Sequence, residues 1–204
     1  MVRISKDPDK RKHELISAAE RLFLTKGYEQ TSVSDIVKDI NVAQGTFYYH
    51  FRSKADILEE VVKKHIFSLV ERICSVVEKK EMDVVVKLNK FFDTLVKFGT
   101  LNKELVSFIH QQSNLVLHER LGNITIARLV PLLSKIIQDG VTEGIFTVRY
   151  PIEAARFILL GIGEMFHDPE MLRDAKRIKK ARITVEQSVA RVLGIEEGSI
   201  KMHF

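Results

Sequence analysis

The sequence has 204 residues, 45% of them hydrophobic and 29% charged, with a formal net charge of +5. That balance excludes a disordered chain, and no apolar run approaches the roughly 20 residues needed to cross a bilayer. With Cys74 as the one cysteine, an internal disulfide and a cysteine-built zinc site are excluded. Residues 1–8 have no apolar core of the kind a signal peptide needs, so a cytoplasmic protein with no membrane partner is expected. The basic surplus permits phosphate neutralisation on a nucleic acid without demanding it.

Strand-like alternation is absent, and an all-α fold of about nine helices is expected. The first helix opens at Asp7 with Pro8 behind it, a cap followed by a residue whose missing N–H is harmless there. Leu15, Ala18, Ala19, Leu22 and Phe23 form one buried face, and Lys26-Gly27 ends the helix. A short second helix starts at Ser32, which forms a capping box with Asp35, and buries Val33, Ile36, Val37 and Ile40. Asn41 supplies a turn, and a third short segment runs from about Ala43 to His50. Ser53, with Asp56 three residues on, caps a long helix over 54–80. Further helices are expected at about 83–98, 103–118, 124–143, 151–167 and 184–193. Pro131 is expected to kink its helix, and Thr184 with Gln187 to form the last capping box.

The third segment carries the functional signal. In Gln44-Gly45-Thr46-Phe47-Tyr48-Tyr49-His50, Phe47 and the nearby Phe51 can anchor one face, while the other side chains are polar or amphipathic. A recognition helix needs that division, offering donors and acceptors to a groove about 12 Å wide. Gln44 suits adenine or guanine, Gly45 lets the backbone approach the bases, and Thr46 with the hydroxyls of Tyr48 and Tyr49 can reach phosphates. Lys54 would lie beside the DNA backbone. The N-termini of the second helix, at Ser32, and of the fourth are further phosphate sites.

These residues resemble the DNA-binding domain of the TetR family. The likeness rests on Ala18-Ala19-Glu20-Arg21-Leu22-Phe23, Gly27-Tyr28, Thr31-Ser32-Val33-Ser34-Asp35-Ile36 and the block Gly45 to Lys54. It implies that Gln44, Gly45 and Tyr48 touch bases or the adjoining backbone, that Thr46, His50 and Lys54 hold phosphates, and that Tyr49 faces the groove edge. Ala43 stands where family members often have serine, which removes a capping hydroxyl. The implied organisation is a three-helix helix-turn-helix domain over 1–53 and a helical effector-binding and dimerisation domain over 54–204. Such a protein is a transcriptional regulator, usually a repressor. It binds palindromic double-stranded operator DNA as a homodimer and is released by a small hydrophobic or amphipathic effector.

The resemblance weakens after residue 60 but places the dimer on the last two long helices, for which Ala154, Ala155, Ile158, Gly161, Ile162, Val189 and Val192 are candidates. Effector-pocket candidates are Phe91, Phe92, Leu95, Phe98, Phe108, His110, Gln111, Asn114, Met165 and Phe166, although an aromatic stripe at helical spacing is more often plain core. His110, His118 and His167 are too scattered for a metal site, and no cofactor is expected. The basic run from Lys176 to Arg182 reads as a solvated linker, and Cys74 as a buried small residue. No phosphate loop, nucleophile elbow or metalloprotease motif is present, so neither an enzyme nor a catalytic residue is expected. A protein-interaction module would explain exposed Tyr48 and Tyr49, but not their company of Gln44, Thr46, His50 and Lys54.

Overall fold

The computed structural model describes residues 7–101, 115–166 and 174–203. Its helices are α1 (Pro8–Lys26), α2 (Val33–Asp39), α3 (Gln44–His50), α4 (Lys54–Val77), α5 (Val84–Leu101), α6 (Leu115–Thr142), α7 (Pro151–Met165) and α8 (Ala175–Leu193). No strand occurs among the described residues.

Local chemistry sets the first four helices where the sequence places them. Asp7 accepts from the Asp9 N–H at 3.1 Å, ahead of Pro8, and the Gly27 N–H closes α1 onto the Phe23 carbonyl at 3.1 Å. At α2 the capping box is reciprocal: the Asp35 N–H donates to Ser32 Oγ at 3.1 Å, and the Ser32 N–H donates to Asp35 Oδ2 at 2.8 Å. Ser53 caps α4 by accepting from the Asp56 N–H at 3.1 Å. Ala43 precedes α3 with no side-chain bond to its first turn.

Two apolar cores form. One gathers Leu15, Ala19 and Phe23 of α1, Ile36 of α2, Phe47 of α3 and Leu58, Val61 and Val62 of α4. The other joins Leu69 and Ile73 of α4 to Leu88, Phe91 and Phe92 of α5, Leu133 and Ile136 of α6, Ala155 and Ile158 of α7, and Val189 and Leu193 of α8. The α6 helix belongs to both, for Leu121 is buried in the first core, with Leu117 and Ile124 packed against it. Arg120 adds an ion pair to Glu59 of α4 at 2.8 Å. After α8 the chain returns across α5, burying Ile200 and Met202 in the second core. There Asn89 donates to the Ser199 carbonyl at 2.9 Å and accepts from the Lys201 N–H at 2.8 Å.

The C-terminal helices depart from the sequence expectations in two places. The described α6 helix, Leu115–Thr142, continues through Gly122 and past Pro131, because its apolar contacts with both cores outweigh the two weak helix formers. The basic run from Lys176 to Arg182 is helix and not linker. Asp174 caps α8 by accepting from the N–H groups of Lys176 and Arg177 at 2.8 and 3.2 Å. Thr184 therefore lies inside the helix, its hydroxyl donating to the Lys180 carbonyl at 2.9 Å. Gly194 ends α8 in the left-handed conformation at φ 70°, where a Cβ would also collide with the Thr147 hydroxyl. Cys74 is half-buried. No described helix is long and apolar enough to cross a membrane.

Candidate nucleic-acid interface

The α2–α3 turn pivots on Asn41, whose φ of 53° suits an asparagine, and is closed by the Val42 N–H donating to the Val37 carbonyl at 2.9 Å. Phe47 is 0% exposed and Phe51 4%, with ring centroids 5.5 Å apart, so the inner face of α3 is locked to the core. The opposite face is open: Tyr48 is 55% and Tyr49 76% exposed, and Gln44 and Gly45 lie beside them at the surface. Thr46 and His50 are half-buried at its margins. A Cβ built on Gly45 would meet nothing.

The charges around this face are specific. Asp35 takes a 2.8 Å bond from Lys26 and bonds from the Ser32 N–H and hydroxyl, which hold its carboxyl well below the usual carboxylate range. Ser32 is exposed, but its hydroxyl is committed to that cap. Burial pushes the His50 imidazole down, helped by the positive charges of Lys12 and Arg11 against the opposing effect of Asp9. In the free protein the charged form of His50 is therefore disfavoured, while either form can offer an N–H to an acceptor. Lys54 does not face outward as the sequence reading expected. Its ammonium donates to the carbonyls of Tyr28 at 2.8 Å, Thr31 at 2.9 Å and Glu29 at 3.3 Å. Two cations that the sequence reading passed over, Lys38 and Arg52, are exposed and form no ion pair among the described residues. Arg52 stands inside the Gly45–Lys54 block, so the pattern held a signal for it.

The candidates farther along the chain divide. Phe91 and Phe92 are 0% and 1% exposed, set edge to face at 5.6 Å inside the second core, while Leu95, Phe98 and Phe166 are partly buried against it. Met165 is exposed at the end of α7. Phe108, His110, Gln111 and Asn114 lie outside the described residues, as does His167; His118 lies in α6. Of the residues expected at a dimer contact, Ala155, Ile158 and Val189 are instead buried within the subunit, because α7 and α8 pack these faces on the second core. Ala154, Ile162 and Val192 are half-buried, and Gly161 is exposed. The outer face of α7 is apolar as well: Ile152, Phe157 and Leu160 are 56%, 67% and 51% exposed.

Two family models match the chain in sequence. Residues 15–61 match the bacterial regulatory proteins of the tetR family, and residues 97–188 match the tetracyclin repressor-like C-terminal domain. The chain belongs to the TetR family. It is a TetR-family transcriptional regulator, and its relatives are regulators rather than enzymes.

Among those relatives, the fatty acid metabolism regulator protein of Bacillus subtilis is 28% identical over 152 residues, covering 72% of this chain and 77% of that protein. IcaR of Staphylococcus aureus, the negative transcriptional regulator of the biofilm operon icaADBC, is 44% identical over 52 residues, or 26% of this chain and 28% of its own length. The TetR fold also matches solved structures. RolR in complex with resorcinol superposes with a TM-score of 0.68 at 18% identity, covering 93% of this chain and 90% of that one. A regulator from Mesorhizobium loti gives 0.68 at 20% identity, with 92% and 98% covered.

Proposed function

We propose that this TetR-family regulator is a homodimeric repressor that reads a palindromic operator with α3 and releases it on binding a small hydrophobic or amphipathic effector. The observation that carries the reading is the division of α3. Phe47 and Phe51 are locked inward while Gln44, Gly45, Tyr48 and Tyr49 form one exposed face. Aromatic hydroxyls, an amide and an unobstructed backbone offer hydrogen bonds and apolar contact to base edges, and Lys38 and Arg52 supply free positive charge for phosphates. Thr46 and His50 donate at the margin, and the capped N-terminus of α2 at Ser32 adds the field of its dipole.

One seven-residue helix reads too few base pairs for selective binding, so two copies must act together. The apolar outer face of α7, with Ile152, Phe157 and Leu160, supports the pairing. Exposed Glu153 and Glu164 on α7 lie ready for the exposed Lys176, Lys179 and Lys180 on α8 of a second copy. The helix-turn-helix occupies residues 1–53 and the regulatory domain 54–204. The likeness to the Bacillus subtilis fatty acid metabolism regulator runs beyond the helix-turn-helix, and supports a fatty acid as the first effector to try.

The decisive experiment titrates the protein against the DNA upstream of its own gene and against an unrelated duplex, each at two salt concentrations. A Tyr48→Ala, His50→Ala double variant runs alongside. Tight, salt-sensitive binding to the upstream DNA alone, lost in the variant, is expected. Binding that ignores salt, or that the variant retains, would overturn the reading in favour of a protein-interaction surface.

A further inference from the structure

Resting on the reading of α3 as the DNA-contacting helix, we propose that Lys54 is a positioning residue of that unit and not a phosphate ligand. Its ammonium clamps the loop between α1 and α2 to the start of α4. An ammonium has three N–H donors, and here three carbonyls converge on it: Tyr28 at 2.8 Å, Thr31 at 2.9 Å and Glu29 at 3.3 Å. The Tyr28 ring lies beneath it, its centroid 4.2 Å from the nitrogen, closing a fourth side. A lysine at the first position of α4 meets the positive end of that helix's dipole, so the helix itself does not hold it there; the loop carbonyls do. Burial pulls the Lys54 pKa below the ordinary lysine value, with Glu29 opposing the shift, as fits a partly enclosed cation.

The clamp acts on the geometry that reading requires. Thr31 is 1% exposed and donates its hydroxyl to the Gly27 carbonyl at 2.7 Å, and the next residue, Ser32, caps α2. Three residues before Lys54 lies Phe51, which anchors the end of α3. Lys54 thus ties the entrance of the helix-turn-helix to its exit. A swing toward a phosphate would strip the ammonium from the carbonyls of Tyr28 and Thr31 and release both ends.

Lys54→Met and Lys54→Arg separate the two roles. The probe is the duplex that the wild type enriches from a random-sequence pool, titrated over a range of salt. Amide hydrogen exchange of the free proteins is followed over residues 27–32, with the middle of α6 as internal reference for folding. A clamp predicts that both variants lose about tenfold or more in affinity at every salt concentration, with the wild-type salt slope. Arginine fails with methionine because its planar fork does not fit three converging carbonyls. Exchange over 27–32 quickens in both variants while α6 stays protected. The clamp is overturned if Lys54→Arg binds as the wild type does while Lys54→Met loses about one unit of salt slope. Unchanged exchange over 27–32 overturns it equally. A wild type that enriches no duplex defeats the DNA reading instead, and exchange alone then decides the clamp.

Discussion

Gly45 stands on the exposed face of α3 with open space where a Cβ would project. Fold and function therefore want opposite things of this position. Alanine would stabilise the helix by about 0.5–1 kcal/mol by restricting the unfolded chain. The added methyl would also stand between the backbone and the bases. Gly45→Ala is expected to raise the melting temperature while lowering affinity for the upstream DNA, in a thermal melt and a binding titration on one preparation. A gain in stability with affinity unchanged would remove Gly45 from the interface. At the same scale Lys54 shows what sequence conceals. Its position was plain from the motif, but its partners are carbonyls 23 to 26 residues back along the chain, brought to it by the packing of α1 against α4.

The short α2 helix depends on its cap. Asp35 serves the Ser32 N–H, the Ser32 hydroxyl and Lys26 at once, which depresses its folded pKa below the unfolded value. The sign follows: the unfolded state binds the proton more readily, so this contribution is complete above the unfolded pKa of about 4 and is lost as pH falls below it. In acid unfolding followed by far-ultraviolet circular dichroism, Asp35→Asn is expected to flatten the loss of stability below about pH 4 relative to the wild type. An unaltered acid limb would show that other carboxylates govern it. Caps such as this were legible because both partners lie within three residues of each other. The start of α8 was not, because Thr184 with Gln187 offered a plausible box, and the basic residues before it carry no apolar stripe strong enough to announce a helix. Asp174 overrules that box by binding two amides. On α7 the apolar residues surround the helix, so periodicity gave no means of telling Ala155 and Ile158, which face the subunit core, from Phe157 and Leu160, which face outward.

For the molecule as a whole, the proposed pairing makes operator binding turn on the outer face of α7. Phe157, 67% exposed, is well placed to test it. Phe157→Glu buries nothing in the single subunit but sets a charge in any apolar contact between two. Sedimentation is expected to show a monomer, with operator affinity down by about a hundredfold as the second reading helix is lost. Dimers persisting at wild-type affinity would move the contact elsewhere. The second core was read correctly as helical but only in outline, since its assembly depends on long-range contacts such as Asn89 with the chain around Ser199.

The sharing of α6 between the two cores limits how far such a molecule behaves as interchangeable parts. Leu121 fills the core beneath the reading head, and Arg120 grips Glu59, although both arrive well over sixty residues after residue 53, where the head ends. A head grafted onto a foreign body within α4, beyond Ile66, would keep its own α4 residues but lose the Leu121 side chain that completes its interior. Exchange between relatives therefore calls for a second crossover that carries the stretch around Leu117 to Ile124 along with the head. Without it, a chimaera would keep its contacts with DNA but have a loosened joint through which any signal from the body must pass.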